Sequence, residues 1–243
     1  MSLSQVLPFI TTAIMIVFSV SVLNRFVQRR SPAFLFWGIG LAMFGAASLA
    51  EAYLAVAWSP FMFFVWYFFG AVLTAAWIGQ GTVYLLFRRR WVHIAAGLLV
   101  LGSLAALVLM LQVMPRLHES QFTLGQPISE QYRILMPAVS EGATIRLTTP
   151  FFNIYGLLTV VGGALWSAFL FWRKRVLPNR VVGNVLIAAG ALSIALASTL
   201  TRLGYGSLLY LGELVSAILM FVGFLKAAAP EPEDLGEAAL ARA

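Results

Sequence analysis

Seven runs of about 20 apolar residues, set apart by short polar or basic breaks, leave this chain few ways to fold. A run of that length makes a helix as long as a bilayer's hydrocarbon core is thick, and in lipid any other conformation leaves backbone groups without partners. The runs cover approximately 5–27, 32–58, 60–87, 91–114, 149–172, 180–203 and 207–227. Ser31-Pro32 and Ser59-Pro60 mark two helix starts, with proline in the first turn, where its missing N–H does no harm. Pro178-Asn179 and Gly204-Tyr205-Gly206 separate the last three runs. Of the 243 residues, 61% are hydrophobic and 10% charged, against about 25% charged in a soluble domain. The expected fold is an all-α integral membrane protein, a seven-transmembrane-helix bundle. Residues 1–228 form its one domain, and the acidic, then alanine-rich stretch 229–243 is a mobile cytoplasmic tail.

The placement of positive charge sets the orientation. Arg25, Arg29, Arg30, Arg88, Arg89, Arg90, Arg173, Lys174, Arg175, Arg180, Lys226 and Arg242 fall on one side of the seven runs, and Arg116, Arg133, Arg146 and Arg202 on the other. That asymmetry in short loops puts the N-terminus outside and the C-terminus in the cytoplasm of a multi-pass protein of the cell (inner or plasma) membrane. The first run has no basic residue before it, so it reads as an uncleaved helix and not as a signal peptide. Fourteen arginines to two lysines suggest a GC-rich bacterial source. The net charge of +7 is spent on topology, which argues against nucleic acid as a partner.

One long connection, 115–148, lies on the outer side. Gly125-Gln126-Pro127, Pro137 and Gly142 punctuate partly alternating runs, which suggests a small cap, a hairpin among its forms, with Tyr132, Ile134, Leu135, Met136 and Ile145 packed on the helix ends. Internal similarity adds a second expectation. FGAASLA (44–50) aligns with AGALSIA (189–195), and Phe69-Gly70 with Leu211-Gly212, which lays the first three helices over the last three as a 3+1+3 parallel pseudo-repeat. The plan is similar to that of sugar-transporter and sorting-receptor families, whose proline–glutamine signatures are missing here.

Chemistry is sparse. Within Pro32–Trp58 the only formal charge is Glu51, at the end of a small-residue ridge, Gly38, Ala42, Ala46 and Ala50, expected to face a neighbouring helix. Glu213 stands at a similar depth in the last helix, and helical rise puts both roughly 10 Å below the outer interface. Arg202 can reach either acid, and Tyr53, Asn153 and Tyr210 lie near the same level. An ionisable group at such depth is costly and marks a site or a pair. Three roles fit: an ion pair with Arg202 that locks the bundle, an outward-facing pocket for a polar or cationic solute or lipid headgroup, or a proton relay. Gln80 and Asn184, deeper on the cytoplasmic side, are candidates for an inner polar gate or for helix packing.

Other chemistries lack their residues. There is no cysteine, and the two histidines, His93 and His118, lie on opposite sides, so no metal or other cofactor is expected. A retinal Schiff base needs a lysine midway along the last helix, and Lys226 is at its end. The chain shows neither a serine–histidine–acid arrangement nor a phosphate loop, which makes an enzyme the lesser reading. The expected function is binding of a small or lipidic ligand in an outward-facing intramembrane pocket, as in a transporter or receptor-like sensor with a separate signalling partner. The alternative is a non-catalytic accessory or assembly subunit among other membrane subunits.

Overall fold

The computed structural model describes residues 3–175, 177–203, 205, 206 and 208–230, and for 3–5 and 202 the backbone alone. Among these residues the chain forms eight α-helices and no strand. Seven are long and apolar enough to cross a membrane, so this is a polytopic membrane protein. They are α1 (Leu3–Arg29), α2 (Pro32–Leu54), α3 (Pro60–Leu86), α4 (Trp91–Val113), α6 (Ile145–Arg173), α7 (Pro178–Arg202) and α8 (Leu208–Ala228), with the short α5 (Ile128–Leu135) in the long connection. The second span stops at Leu54, four residues short of the apolar run's end, because the chain turns before Ser59 caps α3. The fifth span starts at Ile145, four residues early, and takes Pro150 into its first turns. The expected tail, apart from its first two residues, lies outside the described residues.

Helix packing closes a ring in the order α1, α2, α3, α6, α7, α8 and back to α1, with α4 standing outside against α3 and α6. Close crossings use glycine where a neighbouring backbone leaves no room for a Cβ. At α3–α6 a Cβ on Gly156 would lie 2.3 Å from the carbonyl carbon of Ala75. At α7–α8, Gly183 and Gly223 face one another, each with the other's carbonyl oxygen where its own Cβ would go. Hydroxyls and indoles satisfy what the spans bury: Ser19 Oγ donates to the Gly38 carbonyl at 2.9 Å, and Trp37 Nε1 to Thr82 Oγ1 at 3.1 Å.

The small-residue ridge expected to bury α2 does not do so. Ala42 is exposed and Ala46 half-buried, while two other stripes are covered. Gly38 and Gly45 face α1, where they meet Leu23 and Met15, and Gly40 and Ala47 face α3, where they meet Ile78 and Gly70. A helix wedged between two neighbours is buried along two flanks, and a single fourfold spacing describes neither. Glu51 lies on the α3-facing flank.

Within α3, Val65–Leu73 winds as a π-helix, and the Thr74 N–H reaches back to the Phe69 carbonyl. Near the end of this stretch the Ala71 carbonyl accepts from Asn153 Nδ2 of α6 at 2.9 Å. The long connection is a helical cap and not a hairpin. Short 3-10 turns at Met114–Arg116, Glu119–Gln121 and Val139–Glu141 flank α5. Gln131 closes the loop before α5, accepting from the Thr123 N–H at 2.8 Å and donating to the Gln126 carbonyl at 2.8 Å. Ile128, Leu135, Met136 and Ile145 are buried in one cluster with Leu54, Phe63 and Trp66, whereas Ile134, expected to pack, faces outward. A second cluster, around Phe18, Leu41 and Met220, draws on all six ring helices and lies farther from the cap.

Adding a side chain at the α3–α6 crossing forces backbones apart. Gly156→Val is expected to destabilise the bundle by about 1–3 kcal/mol, and Gly162→Ala, whose Cβ would meet nothing within 4 Å, to leave it unchanged. Thermal unfolding of the two variants in detergent, followed by circular dichroism, checks the contrast.

Candidate functional site

The site begins with the C-terminal end of α2. Glu51 comes one turn before that end, where the flank facing α3 also turns toward the ring's interior. It is 1% exposed, and Trp66 Nε1, from the π-helical part of α3, donates to its Oε1 at 2.6 Å. On α8, Glu213 (9% exposed) follows the first turn, and its carboxyl is hydrogen-bonded to that of Glu51. A carboxylate only accepts, so a contact between two such groups needs a hydrogen on one of them. The Oε2 atoms of both residues are buried and receive no hydrogen bond from any other residue. In a membrane interior each orphaned oxygen of this kind costs at least about 1–3 kcal/mol.

Depth is set by the cap. Glu51 opens on a narrow crevice whose walls are Pro8 of α1, Ala55, Gly125, Gln126, Pro127 and Tyr210. Its free volume of about 10 Å³ is room for one water molecule. The cap closes over it through three contacts. The Tyr210 hydroxyl is hydrogen-bonded to the backbone of Ile128, Ser129 Oγ donates to the Gly206 carbonyl at 3.4 Å, and the Glu130 side chain lies where a Cβ on Gly206 would stand. Tyr132 completes the cover, its ring 5.8 Å from that of Trp66.

The structure therefore brings together Glu51, Glu213 and Tyr210 of the expected set. Tyr53 does not join them: two residues past Glu51 it has turned to the open face of α2 and is 40% exposed. Asn153 is occupied by the Ala71 carbonyl. The side chain of Arg202 lies outside the described residues. Gln80 is fully buried and its amide satisfied, donating to the Val92 carbonyl at 3.1 Å and accepting from the Tyr155 hydroxyl. It thus ties α3 to α4 and α6, and Asn184, half-buried on α7, is not among its partners.

Three contributors had no sequence signal. Trp66 sits in the aromatic run FMFFVWYFF, which reads as plain core. Thr11 and Ser48 are ordinary small polar residues, yet each is buried with its hydroxyl unpartnered. Gly45 meets Met15 and Pro8 shares the crevice with Glu51, so the antiparallel register of α1 and α2 puts Thr11 and Ser48 at one level, about a turn below the carboxyls. A larger hollow, about 610 Å³, is an open groove at the opposite end, walled by Phe171, Trp172, Arg173, Arg175 and Pro178. It contains none of the acids. Comparison with protein families, with characterised proteins and with solved structures finds no match to this chain.

Trp66→Phe keeps the ring and removes the donor to Glu51 Oε1. We expect a loss of about 1–3 kcal/mol, measured by thermal unfolding in detergent. The carboxyl C=O stretch in infrared spectra should shift in this variant and lose one component in Glu51→Gln.

Proposed function

We propose that the protein binds a small polar or cationic solute, or a cationic lipid headgroup, at Glu51 and Glu213, entering from the capped end. The observation that carries this reading is the meeting of two acids from distant helices with unpartnered oxygens beside a crevice under the cap. Carboxyl groups without cationic partners among the described side chains favour a ligand that brings positive charge or hydrogen-bond donors. The closed crevice admits one water, so a larger ligand enters when α5 lifts from Tyr210 and Gly206. In this reading the capped end faces outward, the arginine-rich ends face the cytoplasm of a bacterial cell, and the protein acts as a transporter or as a sensor with a separate signalling partner. The ring order, with two triplets and α4 outside, supports the 3+1+3 repeat as its frame.

The chain has no cysteine, so a single introduced one reports cleanly. Ala55→Cys is expected to react with a membrane-impermeant maleimide added outside intact cells, and reaction from the inside only would reverse the proposed orientation. Choline and ethanolamine serve as cationic probes. Each is expected to raise the melting temperature of the purified protein, and neither to do so in Glu51→Gln or Glu213→Gln. Equal shifts in all three proteins would remove the acids from the site.

The accessory-subunit reading draws on α4, which stands outside the ring with Gly97 in open space. It predicts co-purification with other membrane chains at fixed stoichiometry. A stable lone monomer in mild detergent counts against it.

A further inference from the structure

We propose that Glu51, with Glu213 hydrogen-bonded behind it, holds one small monovalent cation of the sodium class, seated in the crevice between Glu51 and the cap. The inference rests on reading the pair as the binding site and names an ion for it, independent of any solute that enters when the cap opens.

Charge comes first. A hydrogen that joins the two carboxyls neutralises one of them, and in this proposal the other is ionised and the cation balances it. Among the described side chains no lysine or arginine acts on the pair: the groups that do are Trp66 on α3 and the two acids themselves. The titratable neighbours beyond them are Tyr210 on α8 and Glu130 on α5, neither of which brings positive charge. One uncompensated charge in a membrane interior calls for one monovalent counter-charge.

Donor chemistry comes second. The unpartnered atoms at the pair are oxygens, Glu51 Oε2 and Glu213 Oε2, and both are acceptors when ionised. A turn deeper, the hydroxyls of Thr11 and Ser48 are also orphaned. The crevice wall adds the Gln126 amide and the Tyr210 hydroxyl, and there is neither sulfur nor imidazole among the wall residues. A set made of carboxyl, hydroxyl and amide oxygen selects a hard cation.

Size comes third. A cavity of about 10 Å³ takes one water or one bare ion and excludes an organic ammonium while the cap is closed. The ion enters as the cap admits water, sheds part of its hydration to the carboxyl oxygens, and leaves the shared hydrogen in place. Nothing is transferred covalently.

The test is equilibrium binding of ²²Na⁺ to the full-length protein purified in sodium-free choline-free buffer, with potassium as the balancing cation. The expected result is saturable binding at one ion per chain, weakened roughly tenfold or more in Glu51→Gln and in Glu213→Gln. Glu213→Asp, which keeps the charge but withdraws the oxygen, is expected to fall between wild type and Glu213→Gln. Should the glutamine variants fail to fold, the aspartate variant and the sodium-over-potassium preference of the wild type carry the test. Absence of saturable binding in the wild type overturns the proposal, as does binding of equal strength in all variants. If sodium fails to bind while choline still stabilises the wild type and not Glu51→Gln, the ion is wrong and the solute site stands.

Discussion

Inside a bilayer no water is available to complete a hydrogen bond, and this bundle is organised by that shortage. Its interior polar groups mostly find partners on a neighbouring helix: Ser19 on α2, Trp37 on α3, Asn153 on a carbonyl of the π-helical stretch, Gln80 on both α4 and α6. Each of these contacts sets a register between two helices as well as satisfying an atom. Against this background the unpartnered oxygens of Glu51 and Glu213 stand out. They are held in place by Trp66 and by one another, and the cap shields them from the surrounding water.

The positions of the acids follow from how the helices are wedged. α2 is covered on one side by α1 and on the other by α3, and Glu51 belongs to the flank that turns inward at its end. α8 returns to α1 and closes the ring, which brings Glu213 across to α2. The cap then adds the last layer. Its apolar residues merge with the aromatic cluster of α3, and its backbone meets Tyr210 and Gly206. Membrane span, ring closure and cap are therefore three successive conditions for one site.

The spans were legible because hydropathy over twenty residues is a strong signal, and helical rise alone put the two acids near a common level, where they meet. Facing was less legible. The fourfold spacing of Gly38, Ala42, Ala46 and Ala50 suggested a single buried stripe, but a helix between two neighbours has two, and Ala42 lies on neither. Tyr53 was placed by level, which ignores that two residues turn a helix by about 200°. The cap looked partly extended because Tyr132 to Met136 mixes apolar and polar residues over too few positions to distinguish two periods. Trp66 was hidden for a different reason: where every neighbour is aromatic, composition cannot show which ring has a carboxyl to meet.

The π-helical stretch of α3 holds one more residue per turn than its flanks require, and that excess is a stored rotation. Were it to relax to α-helical winding, the part of α3 before it would turn relative to the part after it. Trp66 would swing away from Glu51, and the Ala71 carbonyl would shift away from Asn153. A single slip of winding would thus loosen the acid pair and the α3–α6 seam in one motion, as a ratchet moves by one tooth.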